Sequence, residues 1–567
     1  MSSSATERTL RGLLVRGIAY ALPRQASEGE FLIAPAINPY KVFYDQQVNA
    51  GIAYCLSHRF AGNPYFHHAR ACAAMERSLS YMLDAGRLAT PAADGGLEHR
   101  NLRASITVVR LAGDLLTPRL RRSLAASHQA CLVVLRKRMR RYRDVTVFDA
   151  RTLDTGTNHF WGYLAITALL ARHLEDESVL AELLPFAERF ARAQDRTGHW
   201  TENAGPTSVY TRVSAHFMGL VAEVFPTAVM KRAARRAVDF QIDFSFPDGS
   251  SIECFDERVQ AHESFYGLSQ YLLGLTVMPH HPRGREYFAF LVDRLSRVCG
   301  GKTFASLEFT HFIVDALARM ESLRTPAAWK PADAQAHGDG FGTVRTGRWQ
   351  VGYQALPTRA WPGNPFFLDR QSLFSLWHDR AERVVDGSNS KRQPEIGTFA
   401  ASRDDGAFAD PVESLPIRGR WRRGRGLGTL VVDYRSFRAE LAFLPRGDDL
   451  VLRVRTRPRG RPLARLLLNV RLPFRFGQRV RSESGATVVL DEHAPVEFTA
   501  LQSGWIDNRS VRFSASTPFR ATWPYLPFSS YRAPLYQREA ADAWFAATCE
   551  IDARKPAALE LRWRILP

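Results

Sequence analysis

Four short stretches of this chain gather residue types that can move protons and hold polar ligands. In the first, Asn158-His159-Phe160-Trp161-Gly162-Tyr163 follows Asp154-Thr-Gly156-Thr157, placing an amide, an imidazole and an indole at a helix start. Thr157 or Asn158 acting as an N-cap would alone account for a polar residue there. The second holds Trp200, Glu202, Asn203 and Tyr210, with Gly205-Pro206 breaking the chain before the tyrosine and Arg212 just behind it. Aromatic platforms beside amide and carboxylate groups are what sugar rings require. A tyrosine at a helix start can equally pack its ring and leave its hydroxyl at the surface. The third holds Glu253, Asp256, Arg258, His262 and Tyr266. Arg258 and His262, four apart, share a helical face, while Glu253 and Asp256 suit the positive end of a helix. The fourth is Trp377-His378-Asp379, followed by the polar run from Asp386 to Glu395. So dense a polar run, bracketed by apolar strands, is not expected in a core. There His378 reads as a general base delivered from a second domain, or as part of an ordinary strand-to-loop surface.

Along the chain, the second and third clusters repeat one pattern. Gly198 to Gly249 and Glu202 to Glu253 are both offset by 51 residues, a period that signals stacked supersecondary units. From about residue 40 to 325 apolar stripes at helical spacing recur over 104–117, 119–142, 161–174, 179–194, 262–277, 284–299 and 308–323. Val213, Phe217, Leu220, Val221, Val224 and Phe225 form another such face. Turn signals at Asp94-Gly95-Gly96, Gly198 and Asp248-Gly249 separate them. About six helical hairpins would close an (α/α) toroid over 40–325, with an open solenoid as the competing geometry. Residues 1–39 read as an N-terminal extension, and the Pro/Ala/Gly-rich 326–342 as a linker. Beyond it, alternating or β-branched runs at 349–356, 428–434, 438–443, 450–455, 466–470, 487–490, 511–515 and 559–565 predict an antiparallel β-sandwich over 343–567.

A chain of 567 residues with 45% hydrophobic and 23% charged residues is an ordinary folded protein of two domains. Its net charge of +19 is less ordinary and concentrates polyanions, whether nucleic acid, anionic lipid or acidic polysaccharide. An arginine-rich genome would produce the same balance. Arg453, Arg455, Arg457, Arg459 and Arg461 alternate, which on a strand sets them on one outer face. The basic run Arg136 to Arg143 closes a helix, where cations complement the C-terminal dipole, and no nucleic-acid-binding fold surrounds it. Six scattered cysteines without CxxC spacing argue against a zinc ribbon or a disulfide scaffold. No cofactor is expected, with a structural divalent metal left open. Arg11 and Arg16 interrupt the apolar stretch Leu10–Leu22, so no signal peptide is read and a cytoplasmic location is expected. A misassigned start would allow a periplasmic or secreted one. No run is long enough for a membrane span. No P-loop, Rossmann glycine, GxSxG or HExxH pattern stands out.

These residues resemble the heparinase II/III-type polysaccharide lyases, and more broadly the lyases that join an (α/α) toroid to an antiparallel β-sandwich. In that family an asparagine at an inner-helix start helps neutralise the substrate's uronate carboxylate, and Asn158 in Asn-His-Phe-Trp-Gly matches it. A tyrosine after a Gly…Glu…Gly-Pro loop serves as acid or base, and Gly198…Glu202…Gly205-Pro206…Tyr210 matches. A β-domain histidine completes the family's site, with His378 the nearest candidate, although the usual His-x-His-x-Asp context is reduced to Trp377-His378-Asp379. The resemblance implies β-elimination on an acidic polysaccharide or oligosaccharide. Tyr210, His378, Asn158 and His159 would form its chemical centre. Trp161, Trp200, Glu202, Asn203, Arg212, Arg258, His262, Tyr266 and Trp377 would contact substrate. Neither nucleic acid nor membrane is an expected partner, and the oligomeric state stays open. Two rivals remain. One is a hydrolase using Glu202 with Glu253 or Asp256, about 5 Å apart if retaining and about 6.5–9.5 Å if inverting. The other is a non-catalytic protein that binds acidic glycans through its arginines.

Overall fold

The computed structural model describes residues 5–32, 46–84, 88, 98–148, 152–153, 156–202, 205–255, 274–299, 308–319, 335–357, 371–387, 393–404, 412–491, 496–500, 504–526, 540 and 543–567. They divide into two compact units. The first takes the helices, and the second takes residues 335–567 together with segments 205–209 and 243–255 from the helical half.

Eleven α-helices are described: α1 Ala5–Ala21, α2 Val48–Ser57, α3 Ala69–Asp84, α4 Glu98–Ala112, α5 Pro118–Arg140 and α6 Thr157–His173, then α7 Glu177–Arg192, α8 Ser208–Val224, α9 Ala228–Asp243, α10 Pro282–Cys299 and α11 Glu308–Leu317. They fall into two kinds. Helices α2, α6 and α8 are buried on nearly every side, whereas α3, α5, α7 and α9 bury one stripe. A helix apolar all round belongs inside another layer, and an amphipathic one belongs outside. The single face expected through Val213 and Phe217 is therefore too narrow, because α8 is buried from Ser208 to Ala222. The inner helices carry charge as well as apolar bulk. Arg103 on α4 is ion-paired to Asp315 on α11, and His216 Nε2 on α8 lies 3.1 Å from the same carboxylate.

Part of the expected N-terminal extension is a component of this unit. Leu10, Leu13, Leu14, Ile18 and Ala21 form a continuous buried stripe on α1, which packs on α2, α10 and α11. The arginines that interrupt the stretch in sequence lie on the other side, with Arg11 paired to Glu7 at 2.6 Å and Arg16 exposed.

The second unit holds three antiparallel sheets. One runs β1-β2-β3-β4-β5, from Gln335–Gly338, Phe341–Thr346, Trp349–Gln354, Phe374–His378 and Glu382–Val385. The 326–342 linker is thus too long by its last eight residues, since β1 begins at Gln335 and pairs with β2 across a turn at Asp339-Gly340. A nine-stranded sheet has the order β13-β12-β15-β16-β19-β10-β9-β8-β7. Its members are β7 Arg418–Arg422, β8 Gly428–Asp433, β9 Phe437–Arg446, β10 Asp449–Pro458, β12 Arg479–Ser482, β13 Thr487–Val489, β15 Trp505–Asp507, β16 Val511–Ala515 and β19 Ala557–Ile565. The third sheet has the order β14-β17-β18-β11-β6, from β6 Phe399–Ser402, β11 Arg465–Leu472, β14 Val496–Ala500, β17 Phe519–Tyr525 and β18 Trp544–Ile551. One apolar core joins them, with Val351, Phe374, Leu441, Leu452, Leu468, Phe545 and Trp563 among its members. On β10, Val454 and Thr456 face inward while Arg453, Arg455 and Arg457 face out. That is the alternation read from the sequence.

Candidate functional site

The repeated turn is real, and it occurs three times. Residues 195–199 and 246–250 close the same way: Asp195 N–H donates to His199 O at 2.8 Å and Phe246 N–H to Ser250 O at 2.9 Å. Gly198 and Gly249 both take positive φ, at 98° and 81°. The third copy, missed in the sequence, is residues 26–30, where Ala26 N–H donates to Glu30 O at 2.8 Å and Gly29 has φ 103°. Gln25 and Gln194 then do equivalent work. Gln25 Nε2 donates to Gly29 O and to Ala74 O on α3, and Gln194 Nε2 to Gly198 O and to Ala233 O on α9. The available signal was Gln-x-x-x-Gly followed two residues later by a buried aromatic, Phe31 or Trp200.

After the Gly198 turn the chain reaches Glu202, which is 1% exposed. Its Oε2 accepts from Thr157 Oγ at 2.7 Å and from the Asn158 backbone N–H at 3.3 Å. The N-cap residue of α6 is Gly156, with no side chain of its own to cap. Glu202 therefore supplies the cap from a distant loop, at the end where a carboxylate complements the helix dipole. The expected cap by Thr157 or Asn158 is replaced by this longer-range one. The position is tight, since a Cβ on Gly156 would lie 2.1 Å from Glu202 Oε1.

Asn158 thus stands in the first turn of α6 with its backbone held by Glu202. Its side-chain Oδ1 is buried and has no hydrogen-bond partner among the described residues. His159 beside it is part-exposed. Tyr210 sits in the first turn of α8, 8% exposed, and Arg212 follows at 2%. Trp161 and Trp200 do not present ring faces. Trp161 stacks on Phe190 at 4.6 Å and meets Trp200 edge-on at 5.2 Å, while Trp200 Nε1 donates to Phe190 O. Both are core residues, which suits the spacing of apolar positions as well as it suits a sugar platform. Asn203, Asp256, Arg258, His262 and Tyr266 lie outside the described residues.

In the second unit His378 is 0% exposed, on a strand buried at every position. Its Nδ1 accepts the Arg380 N–H at 3.2 Å and its Nε2 faces Asp448 Oδ1 at 3.3 Å. Burial pushes its pKa down, against the pull of Asp448 and Asp379. Nδ1 is bonded and Nε2 is buried beside Asp448 without a hydrogen bond, so the ring packs β4 against the β9–β10 turn, where Trp349 Nε1 also donates to Gly447 O. Trp377 stacks on Phe246 at 5.3 Å and is likewise buried. Trp377 and His378 are thus core residues while Asp379 is exposed, and the partner that encloses His378 comes from about seventy residues further on.

Glu253 is equally enclosed. Arg383 Nη2 lies 2.5 Å from its Oε1, and burial pushes the carboxyl up to about 7, with Arg383 opposing and Asp386 reinforcing the rise. Nearby Arg471 donates to Asp386 O and to Ser372 Oγ, and burial pushes it down to about 10. Glu202 and Glu253 therefore serve different units, one as a helix cap and one in a buried ion pair. The basic run ending α5 is also in use: Arg136 and Arg140 pair with Glu182, and Arg138 lies over the Tyr163 ring. Among the described residues no group of three or more His, Cys, Asp or Glu could hold a metal ion. No described helix is long and apolar enough to cross a membrane.

No family model matches this chain, and no curated protein does. Solved structures do. The chain is similar to a Paenibacillus xanthan lyase, with a TM-score of 0.56 and 9% identity, covering 100% of this chain and 58% of that one. It is similar to the Streptomyces coelicolor A3 chondroitin AC lyase in complex with chondroitin sulphate, with a TM-score of 0.56 and 11% identity, covering 100% and 80%. A chondroitinase AC lyase studied as oligosaccharide complexes gives 0.51 and 11%, covering 99% and 82%. The chain thus spans little more than half of the xanthan lyase and about four fifths of the other two. At such identities the likeness is one of fold, and that fold is an (α/α) toroid followed by antiparallel β-sheets.

Proposed function

We propose that this chain is a polysaccharide lyase that cleaves an acidic, uronate-containing glycan by β-elimination. The reading rests on one observation. The whole chain follows a fold that solved xanthan and chondroitin AC lyases share. The local arrangement supports it, with Asn158 and Tyr210 each in the first turn of a buried helix and Glu202 capping the first of these.

In the elimination, a base takes the proton at C5 beside the carboxylate. The electron pair left behind forms the C4–C5 double bond, the C4–O bond breaks, and the departing oxygen takes up a proton. Negative charge builds on the carboxylate meanwhile, and preorganised donors stabilise it best. Asn158 is assigned this part through its amide, with His159 beside it. Tyr210 is assigned both proton transfers, abstracting at C5 and returning a proton to the leaving oxygen. A phenol with an ordinary pKa near 10 needs a neighbouring cation for the first of these, the part given to Arg212 and Arg258. His378 is given no transfer, because its ring is 0% exposed, with Nδ1 bonded to the Arg380 N–H and Nε2 facing Asp448. The hydrolase alternative is not favoured, since Glu202 is committed to the α6 cap.

The test is a panel of acidic polysaccharides followed by ultraviolet absorbance of the unsaturated uronide. Tyr210→Phe is expected to lower turnover about a hundredfold or more. Glu202→Gln is expected to lower stability by about 1–2 kcal/mol while folded protein keeps turning over. Reducing ends without absorbance, abolished by Glu202→Gln and untouched by Tyr210→Phe, would overturn the lyase reading.

A further inference from the structure

Strand β7 is the edge of the nine-stranded sheet, and it and the residues just after it carry Arg418, Arg420, Arg422, Arg423 and Arg425 within eight residues. None of the five has a carboxylate partner among the described residues, whereas arginines elsewhere in this unit, such as Arg348, Arg403, Arg481 and Arg564, are paired. Five adjacent unpaired cations on an edge repel one another, so an anion there is favoured.

Beside this edge lies a cavity of about 260 Å³ whose polar lining is His337, Asp339, Tyr353, Arg420, Trp421 and Arg423, so one carboxylate faces two arginines there. Its walls are built closely. A Cβ on Gly342 would lie 2.4 Å from the Tyr353 hydroxyl, and one on Gly419 would lie 1.9 Å from the Ala355 Cβ. The Trp421 indole is stacked between Tyr353 at 4.1 Å and Phe443 at 5.9 Å, so both ring faces are covered. Its Nε1 is buried without a hydrogen-bond partner. So is His337 Nε2, whose ring partner Nδ1 is bonded to the Tyr353 hydroxyl at 2.5 Å. Burial pushes the Tyr353 pKa up and keeps that hydroxyl protonated, and in the tautomer where it donates to Nδ1 the Nε2 nitrogen of His337 carries the ring proton.

Unsatisfied buried donors ask for an acceptor, and the two guanidinium forks suit a planar or tetrahedral anion. A nucleic acid would need open aromatic faces on which bases stack, and Trp421 has none. The geometry points to a binding site for a carboxylated or sulfated sugar unit at the β7 edge, held by Arg420, Arg423, Trp421 Nε1 and His337 Nε2. The choice of a sugar as the anion's carrier rests on the lyase reading. None of its residues is among those assigned to elimination.

Binding of a chondroitin sulfate hexasaccharide to the full chain, followed by calorimetry in 0.15 M salt, tests it. Arg420→Ser with Arg423→Ser is expected to weaken binding about a hundredfold. Arg455→Ser with Arg457→Ser removes the same charge from the open face of β10 and is expected to leave binding within about twofold. Trp421→Phe keeps the stack and deletes only the Nε1 donor, with an expected loss of about tenfold. Equal weakening by the two arginine pairs would reduce the effect to net charge and overturn the site. Tighter binding of an oligo-dT of equal charge, lost in the same variant, would overturn the sugar assignment. Arginine-dependent binding without turnover on any glycan would sink the lyase reading and leave the anion site standing.

Discussion

The Glu253 carboxyl is 1% exposed and meets Arg383 inside the second unit, where burial pushes its pKa from 4.5 up to about 7. Below about pH 4.5 both folded and unfolded chains hold this proton. Between there and about 7 the folded chain alone keeps it, so stability falls as pH rises through that window. The contribution is about 3 kcal/mol, constant above the folded value. Glu253→Gln removes the titration, so the denaturant midpoint of the variant is expected to fall less between pH 5 and pH 7.5 than that of the parent. Parallel curves would show that Glu253 is already ionised in the folded chain. Residues of this kind mark the limit of legibility. The turn before Glu202 and the helix start at Tyr210 were readable, both being local. The burial of His378 was not, because Gly447 and Asp448 enclose it from seventy residues away. Sequence adjacency says nothing about such a partner.

At the scale of elements, the Gln-x-x-x-Gly turn ties successive helices together. Gly198 has φ 98°, and a Cβ there would lie 2.0 Å from Arg236 O on α9. Gly198→Ala therefore combines backbone strain with a clash against main chain that cannot rotate away, at a cost of about 3 kcal/mol or more. Gly62 has φ 80° but open space around it, so Gly62→Ala isolates the strain term at about 1 kcal/mol. Urea midpoints of the two variants measure the difference, and equal shifts would mean that the close approach to α9 carries no energy. The same scale explains which strands could be read. Eight runs with alternation or β-branching became β3, β8, β9, β10, β11, β13, β16 and β19. Strand β4 is buried at all five positions, and β18 at all but two. A strand with both faces covered has no polar side to alternate with.

For the whole molecule, the +19 charge bears on how an acidic polymer reaches it. Many arginines are neutralised locally by ion pairs, among them Arg103, Arg319, Arg383 and Arg564. Part of the excess that reaches solvent lies on the β7 edge and the outer face of β10, and part on helix surfaces such as Arg119, Arg122, Lys231 and Arg232. Fields from such patches extend about 30 Å at 0.01 M salt and about 8 Å at 0.15 M. If acidic glycan is the substrate and Asn158 and Tyr210 carry the elimination, attraction acts on encounter and binding, while the chemistry falls to residues only 2% and 8% exposed. Raising salt over that range is thus expected to lower kcat/KM about tenfold or more. The value of kcat at saturating polymer should change less than about twofold. Steady-state rates read from product absorbance at fixed pH separate the two. A kcat that falls in step with kcat/KM would place the salt-sensitive charges at the reacting bond rather than on the surface. Removal of Arg420 and Arg423 would then leave the salt slope unchanged, whereas surface capture requires that slope to become shallower.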